Sequence, residues 1–193
     1  MDLQELEHHY RVIDMMLSMH SKLRDDNQNL ALTVNLVLLV SSVILCTFVF
    51  IDPELLKFLK INTQISQITI GLCSNIAFVI SLIEFRVDWK QKAERHGQAC
   101  EILGKLKAEC RGILKSNTTV DPQIVAEQCR SCAQILNTLP KIPDNKFPSL
   151  KAYHKTKIEL SKIIDLHPGI PVWILRITLI YHSFKKLFSR QNP

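Results

Sequence analysis

Two long uncharged stretches, and an apolar seven-residue repeat behind the second, predict an all-α membrane protein. The expected architecture is a two-helix transmembrane hairpin with an N-terminal amphipathic helix, a long cytoplasmic stalk helix and C-terminal helices. Of the 193 residues, 47% are hydrophobic and 22% charged, and the mean hydropathy is +0.08. That average hides the distribution: 25 residues without a charge lie between Asp26 and Asp52, and 23 between Lys60 and Glu84. The five glycines and the absence of G-x-x-x-x-G-K-[ST] or G-x-G-x-x-G argue against nucleotide-hydrolysing and dinucleotide-binding folds.

Leu30 to Ile51 reads LALTVNLVLLVSSVILCTFVFI. At about 1.5 Å per residue it reaches roughly 33 Å, enough for a hydrocarbon core of about 30 Å. Residues 27–51 are therefore read as the first span and 61–83 as the second, joined by a short extracytoplasmic loop at 52–60. A signal peptide fits the first stretch poorly, because 26 hydrophilic residues of net charge −3 precede it. The loop carries two lysines and two acids, whereas the chain from Glu84 onward holds 19 basic and 10 acidic residues. Basic flanks stay cytoplasmic, so both termini are expected there, with the protein multi-pass in its membrane. The six cysteines fit a reducing compartment without a disulfide framework.

The N-terminal segment 1–26 places Leu3, Leu6, Tyr10, Ile13, Leu17 and His20 on one helical face that leads toward the first span. Beyond the second span, Trp89, His96, Leu103 and Cys110 recur every seven residues, with Ala99, Leu106 and Ile113 between them, which is a coiled-coil seam. The joining segment SLIEFRVDWKQKAERHG holds no Pro and no Gly before Gly97, so one helix is expected to run from the second span into this stalk. Antiparallel pairing of the two seams would bury what each exposes alone, and pairing between subunits is the alternative. Within the helical segment 84–165 the stalk should stop near Lys115. Asp121 and Pro122 should start a helix to about Thr138, LPKIPDNKFP should be a loop, and Ser149 should cap a last helix carrying Leu150, Tyr153, Ile158, Ile163 and Ile164.

The remaining residues, 166–193, contain PVWILRITLIYHSFKKLF, divided by Arg176 into apolar runs too short to span. Trp173 beside Arg176, Lys185, Lys186 and Arg190, with no acid after Asp165, fits an amphipathic helix on an anionic membrane surface. Packing of this tail onto the helical domain is the alternative.

Gln67, Ser74 and Ser81 recur every seven residues along the second span, with Gly71 and Asn75 near them, and Asn35 and Ser42 keep the same interval in the first. Polar groups in hydrocarbon need partners or water, so these seven residues form either interhelical contacts or the lining of a pore made by several subunits. Neither span contains Asp, Glu, Lys or Arg, which counts against a proton relay or coupled transporter. Trp89, His96 and Leu103 are the candidates for coupling the cytoplasmic helices to the span. His96 is either a satisfied structural histidine or a group that protonates and shifts the packing. Cys129-x-x-Cys132 has no further ligands close in sequence; Cys110 or His154 could reach it only through tertiary folding. No catalytic residue, cofactor or metal is expected. Nor is nucleic acid, because the basic residues are dispersed among acids without a stacking platform.

The arrangement of N-terminal amphipathic helix, two spans and a stalk reading DWKQKAERHGQACEILGKLKAE resembles the SLATT domain family. This is a two-transmembrane effector module found beside nucleotide-second-messenger synthases and SLOG-type sensors in bacterial conflict systems. The resemblance covers Leu3 to Asp165, with Trp89, Ala93, His96, Leu103 and Leu106 its most specific stretch. It implies a homo-oligomeric pore-forming effector of abortive infection in the bacterial inner membrane, set off by a partner sensor or nucleotide signal. The contrasting expectation is a membrane-anchored helical scaffold whose spans only tether it.

Overall fold

The structure is a computed structural model that describes residues 3–50, 63–116 and 121–189; every regular element among them is an α-helix. In chain order these are α1 (Leu3–Phe50), α2 (Thr63–Val87), α3 (Trp89–Lys115), α4 (Pro122–Thr138), α5 (Phe147–Leu166) and α6 (Val172–Ser189). The predicted loop at 52–60 lies outside the described residues.

The N-terminal amphipathic stretch and the first apolar run form one helix of 48 residues. At about 1.5 Å per residue it is about 72 Å long. Leu3–Phe50 contains neither Pro nor Gly, and its polar middle stays helical through local bonds: Lys22 pairs with Asp26 at 2.6 Å, and the Asn27 amide donates to the Leu23 carbonyl at 2.8 Å.

The second junction differs from the expectation. The helix does not run unbroken from the second span into the stalk: it is interrupted at Asp88, which has φ 45°. The Asp88 N–H donates to the Glu84 carbonyl, closing α2 in a left-handed cap of the kind glycine usually supplies. Its carboxylate accepts from the Gln91 N–H at 2.9 Å and thereby opens α3.

The chain divides into two compact units, Met1–Met19 with Leu103–Pro193, and His20–Ile102. In the first, the start of α1 lies antiparallel to the end of α3: Asp14 pairs with Lys107, and Tyr10 with Arg111. Leu6, Ile13, Leu103, Leu106 and Cys110 form a core that α4 completes with Val125, Cys129 and Cys132. Helix α4 begins as the sequence indicates, with the Asp121 carboxylate accepting from Gln123 N–H and Pro122 in the first turn. Helix α5 begins earlier than expected, because Phe147 is already helical. Ser149 is therefore not its cap, and its hydroxyl donates back to the Lys146 carbonyl. Of the apolar positions expected inward on α5, only Leu150 is buried; His154 and Leu160 are the others, while Tyr153 and Ile158 are exposed.

In the second unit, α1 and α3 again pack together, with His20 against His96 and Arg24 against Gly97. Ala93 and Ala99 are buried on this side of α3. The apolar halves of α1 and α2 are long and apolar enough to cross a membrane. Most of their large side chains are exposed, among them Leu36, Leu39, Ile68, Leu72 and Phe78. Bare apolar helix surface on this scale marks a face for contact with a membrane or with other protein.

Candidate functional site: the polar faces of the apolar helices

Helices α1 and α2 together line a cavity of about 420 Å³ through Ser41, Leu45 and Phe48 on one side and Thr69, Ile70 and Cys73 on the other. The half-buried residues of the apolar halves follow the same faces, Val34, Leu38, Ser41 and Leu45 on α1 and Ile70, Ala77 and Ile80 on α2. At about 100° per residue, Asn75 falls nearly opposite the α2 stripe, while Gln67, Ser74 and Ser81 flank it.

All seven polar or small residues singled out in the two apolar helices are exposed in the single chain: Asn35, Ser42, Gln67, Gly71, Ser74, Asn75 and Ser81. Ser42 satisfies itself by donating to the Leu39 carbonyl at 2.8 Å, and Thr33, Thr47 and Thr69 bond back to carbonyls of their own helix. The side-chain amides of Gln67 and Asn75 find no hydrogen-bond partner among the described residues. A Cβ added at Gly71 would meet nothing within 4 Å, so that surface is open to the approach of another helix.

The three candidate coupling residues separate. Trp89 and His96 are half-buried in the unit His20–Ile102, whereas Leu103 is fully buried in the core of the other unit. His96 meets a partner that sequence spacing alone did not pair with it: His20 Nδ1 and His96 Nδ1 lie 2.9 Å apart. One ring must donate and the other accept, so the two are opposite tautomers. His20 is fully buried and its Nε2 has no partner. Burial, with His96 adding to it, lowers the His20 pKa to about 4. Each histidine was legible on its own helix face, His20 closing the apolar face of the N-terminal segment and His96 on the stalk seam, but the register that joins them was not.

Tertiary folding does bring Cys110 to the C-x-x-C pair, with its Sγ 3.5 Å from that of Cys132. Burial first, then contact with Cys110, pushes the Cys132 thiol up to about 12, and burial also raises Cys129. The Cys129 and Cys132 sulfurs sit as protonated thiols in an apolar core. Among the described residues no group of three or more His, Cys, Asp or Glu is arranged to hold a metal.

In the tail, Trp173 and Arg176 are exposed on α6 together with Ile177, Ile180 and Tyr181, while Leu175 is buried. Helices α5 and α6 touch. Lys185 and Lys186 belong to α6, and nothing is described of their side chains; Arg190 lies outside the described residues.

Comparison with protein-family models, with curated proteins and with solved structures finds no match to this chain.

Proposed function

We propose that the chain is one subunit of a homo-oligomeric pore or membrane-disrupting assembly, the effector of a bacterial anti-phage system that acts by abortive infection. In this reading α1 and α2 form a transmembrane hairpin in the inner membrane, with both termini cytoplasmic and the basic α6 on the membrane surface. A separate sensor, or an enzyme that makes a nucleotide signal, supplies the trigger. The chain itself catalyses no reaction.

One observation carries the reading. Neutral polar groups recur on exposed faces of two apolar helices, and the Gln67 and Asn75 amides lack partners among the described residues. In hydrocarbon such groups are satisfied by neighbouring helices or by water. A ring of subunits provides both, because a single pair of helices cannot enclose a lumen. The resemblance of Leu3–Asp165 to the SLATT family supports the same reading and adds the defence setting.

The test is inner-membrane permeability in bacteria expressing the chain, alone and with its genomic neighbours, followed with a potential-sensitive and a membrane-impermeant dye. Rapid depolarisation that is lost on combining Gln67→Leu with Ser74→Leu, at unchanged membrane insertion, is the expected result. Unchanged permeabilisation by the double variant removes these residues from the lumen. An intact potential under every condition, with the protein in the membrane, favours the scaffold. A scaffold also tolerates replacement of both spans by an unrelated hairpin of equal length.

A further inference from the structure

A second cavity, of about 430 Å³, opens between α1 and α3 and lies within the unit His20–Ile102. Arg24, Gln28, Leu32, Lys90, Glu94 and Gly97 line it. We propose that it binds the headgroup of a phospholipid carrying a primary ammonium, of the phosphoethanolamine type. The inference rests on the reading that α1 spans a bilayer.

Depth comes first. The uncharged run of α1 begins at Asn27, so Gln28 and Leu32 stand where the chain passes from water into hydrocarbon, which is headgroup level. Lys90 faces the same space from α3. It directly follows Trp89, a residue type enriched at membrane interfaces.

Space is provided by small residues. Ala31 and Ala93 line the cavity and are themselves buried, and Gly97 leaves room above Arg24, whose Cδ would stand 3.6 Å from an added Cβ. The volume falls in the range of about 300–1,000 Å³ usual for small-ligand sites.

Charge then selects the ligand. Lys90 and Glu94 are one turn apart and both line the cavity, yet neither has an ion-pair or hydrogen-bond partner among the described residues. The Arg24 guanidinium uses Nε and Nη2 on the Asp25 carboxylate at 2.9 and 2.8 Å, which leaves three N–H donors. A phosphodiester meets Lys90 and those free donors, and an adjacent ammonium meets Glu94. A primary ammonium donates hydrogen bonds to that carboxylate, whereas a trimethylammonium has none to give. Leu32 offers an apolar wall that a lipid glycerol can use and a free phosphate cannot.

The test uses the full chain reconstituted into phosphatidylcholine vesicles with equimolar phosphatidylethanolamine and phosphatidylglycerol. Resistance to carbonate extraction is scored first, so that failure to span is read separately from failure to bind. Native mass spectrometry after detergent release then counts retained lipid. About one phosphatidylethanolamine per chain is expected, preferred over phosphatidylcholine by about tenfold, the ratio one charged hydrogen bond supplies. Glu94→Gln should bring the two lipids to parity, Lys90→Gln should lower retention of both, and Gly97→Leu should empty the site. Three results overturn the proposal: no headgroup preference in an inserted protein, displacement of the lipid by millimolar inorganic phosphate, or a photo-cross-linker at position 90 that captures a second copy instead of lipid.

Discussion

The two units of the molecule are stabilised by opposite means. The unit built from Met1–Met19 and Leu103–Pro193 buries Leu6, Ile13, Leu103, Leu106 and three cysteines together in a closed core. The unit His20–Ile102 leaves Leu36, Leu39, Ile68 and Phe78 bare and hides a histidine instead. Apolar surface stabilises the first by leaving water, whereas in the second much of it stays outside the packing of the described residues. The contrast therefore separates sites where substitutions act on the stability of the folded chain from sites where they leave it nearly unchanged.

The largest expected effect sharpens that division. Leu106→Ala removes packed atoms from a closed core and should cost about 2–5 kcal/mol. Ile68→Ala trims a side chain that is 72% exposed. It should stay within about 0.5 kcal/mol in detergent. Chemical unfolding of the two variants in one micelle system compares them, and equal losses would dissolve the distinction between the units.

Acid should act chiefly on the unit that buries His20. Its pKa in the folded chain is lowered to about 4 by burial and by His96. The unfolded chain then binds the extra proton first, so the stabilisation is fully present above about pH 6.5 and is lost as pH falls from there through about 4. The loss should be about 3 kcal/mol by the lower end. His20→Leu should flatten the profile over this window. A wild-type stability that rises on acidification would contradict the buried neutral ring.

The junction at Asp88 comes next in size. A non-glycine residue at φ 45° pays a backbone cost that its capping carboxylate offsets. Asp88→Ala keeps the cost and loses the cap, a loss of about 0.5–2 kcal/mol. Asp88→Gly loses the cap and removes the strain, so it should fall within a few tenths of a kcal/mol of the parent. Thermal unfolding should rank Ala below Gly, and the reverse order would mean that the left-handed turn carries no strain.

Much of this architecture was legible in the sequence, because uncharged length, the absence of Pro and Gly, and Asp121-Pro122 each act locally. The break at Asp88 was missed although D-W-K-Q is the pattern of a side-chain cap, an acid followed by glutamine at the third helical position. The uninterrupted apolar periodicity around it concealed the signal. The early start of α5 was missed for a related reason. Pro148 looks like a breaker, but a proline in the first helical turn interrupts no bond. The pairing of His20 with His96, and the approach of Cys110 to Cys132, depend on the register between distant helices, which no local pattern encodes. The polar positions of the two apolar helices were visible as a seven-residue interval. Their exposure in the single chain was not, since either face of such a helix could have met its neighbour.

The smallest effect tests whether the difference between the units extends to their ion pairs. Asp14 and Lys107 meet at 2.5 Å with side chains only 34% and 21% exposed, and Lys107 Nζ also stands 5.8 Å from the centre of the Tyr10 ring. Lys22 and Asp26, in the other unit, meet at 2.6 Å but are 39% and 51% exposed. Partial burial weakens screening by solvent and salt, so the first pair should show a coupling of about 0.5–1 kcal/mol. The exposed i,i+4 pair should show about 0.3–0.5 kcal/mol. Double-mutant cycles through Asp14→Asn with Lys107→Met, and Lys22→Met with Asp26→Asn, measure both. Raising the salt to about 1 M shortens the screening length to about 3 Å and should erase the second coupling while leaving part of the first. Equal couplings with equal salt sensitivity would show that the packed helical unit shields its charges no better than the helix surface of the other.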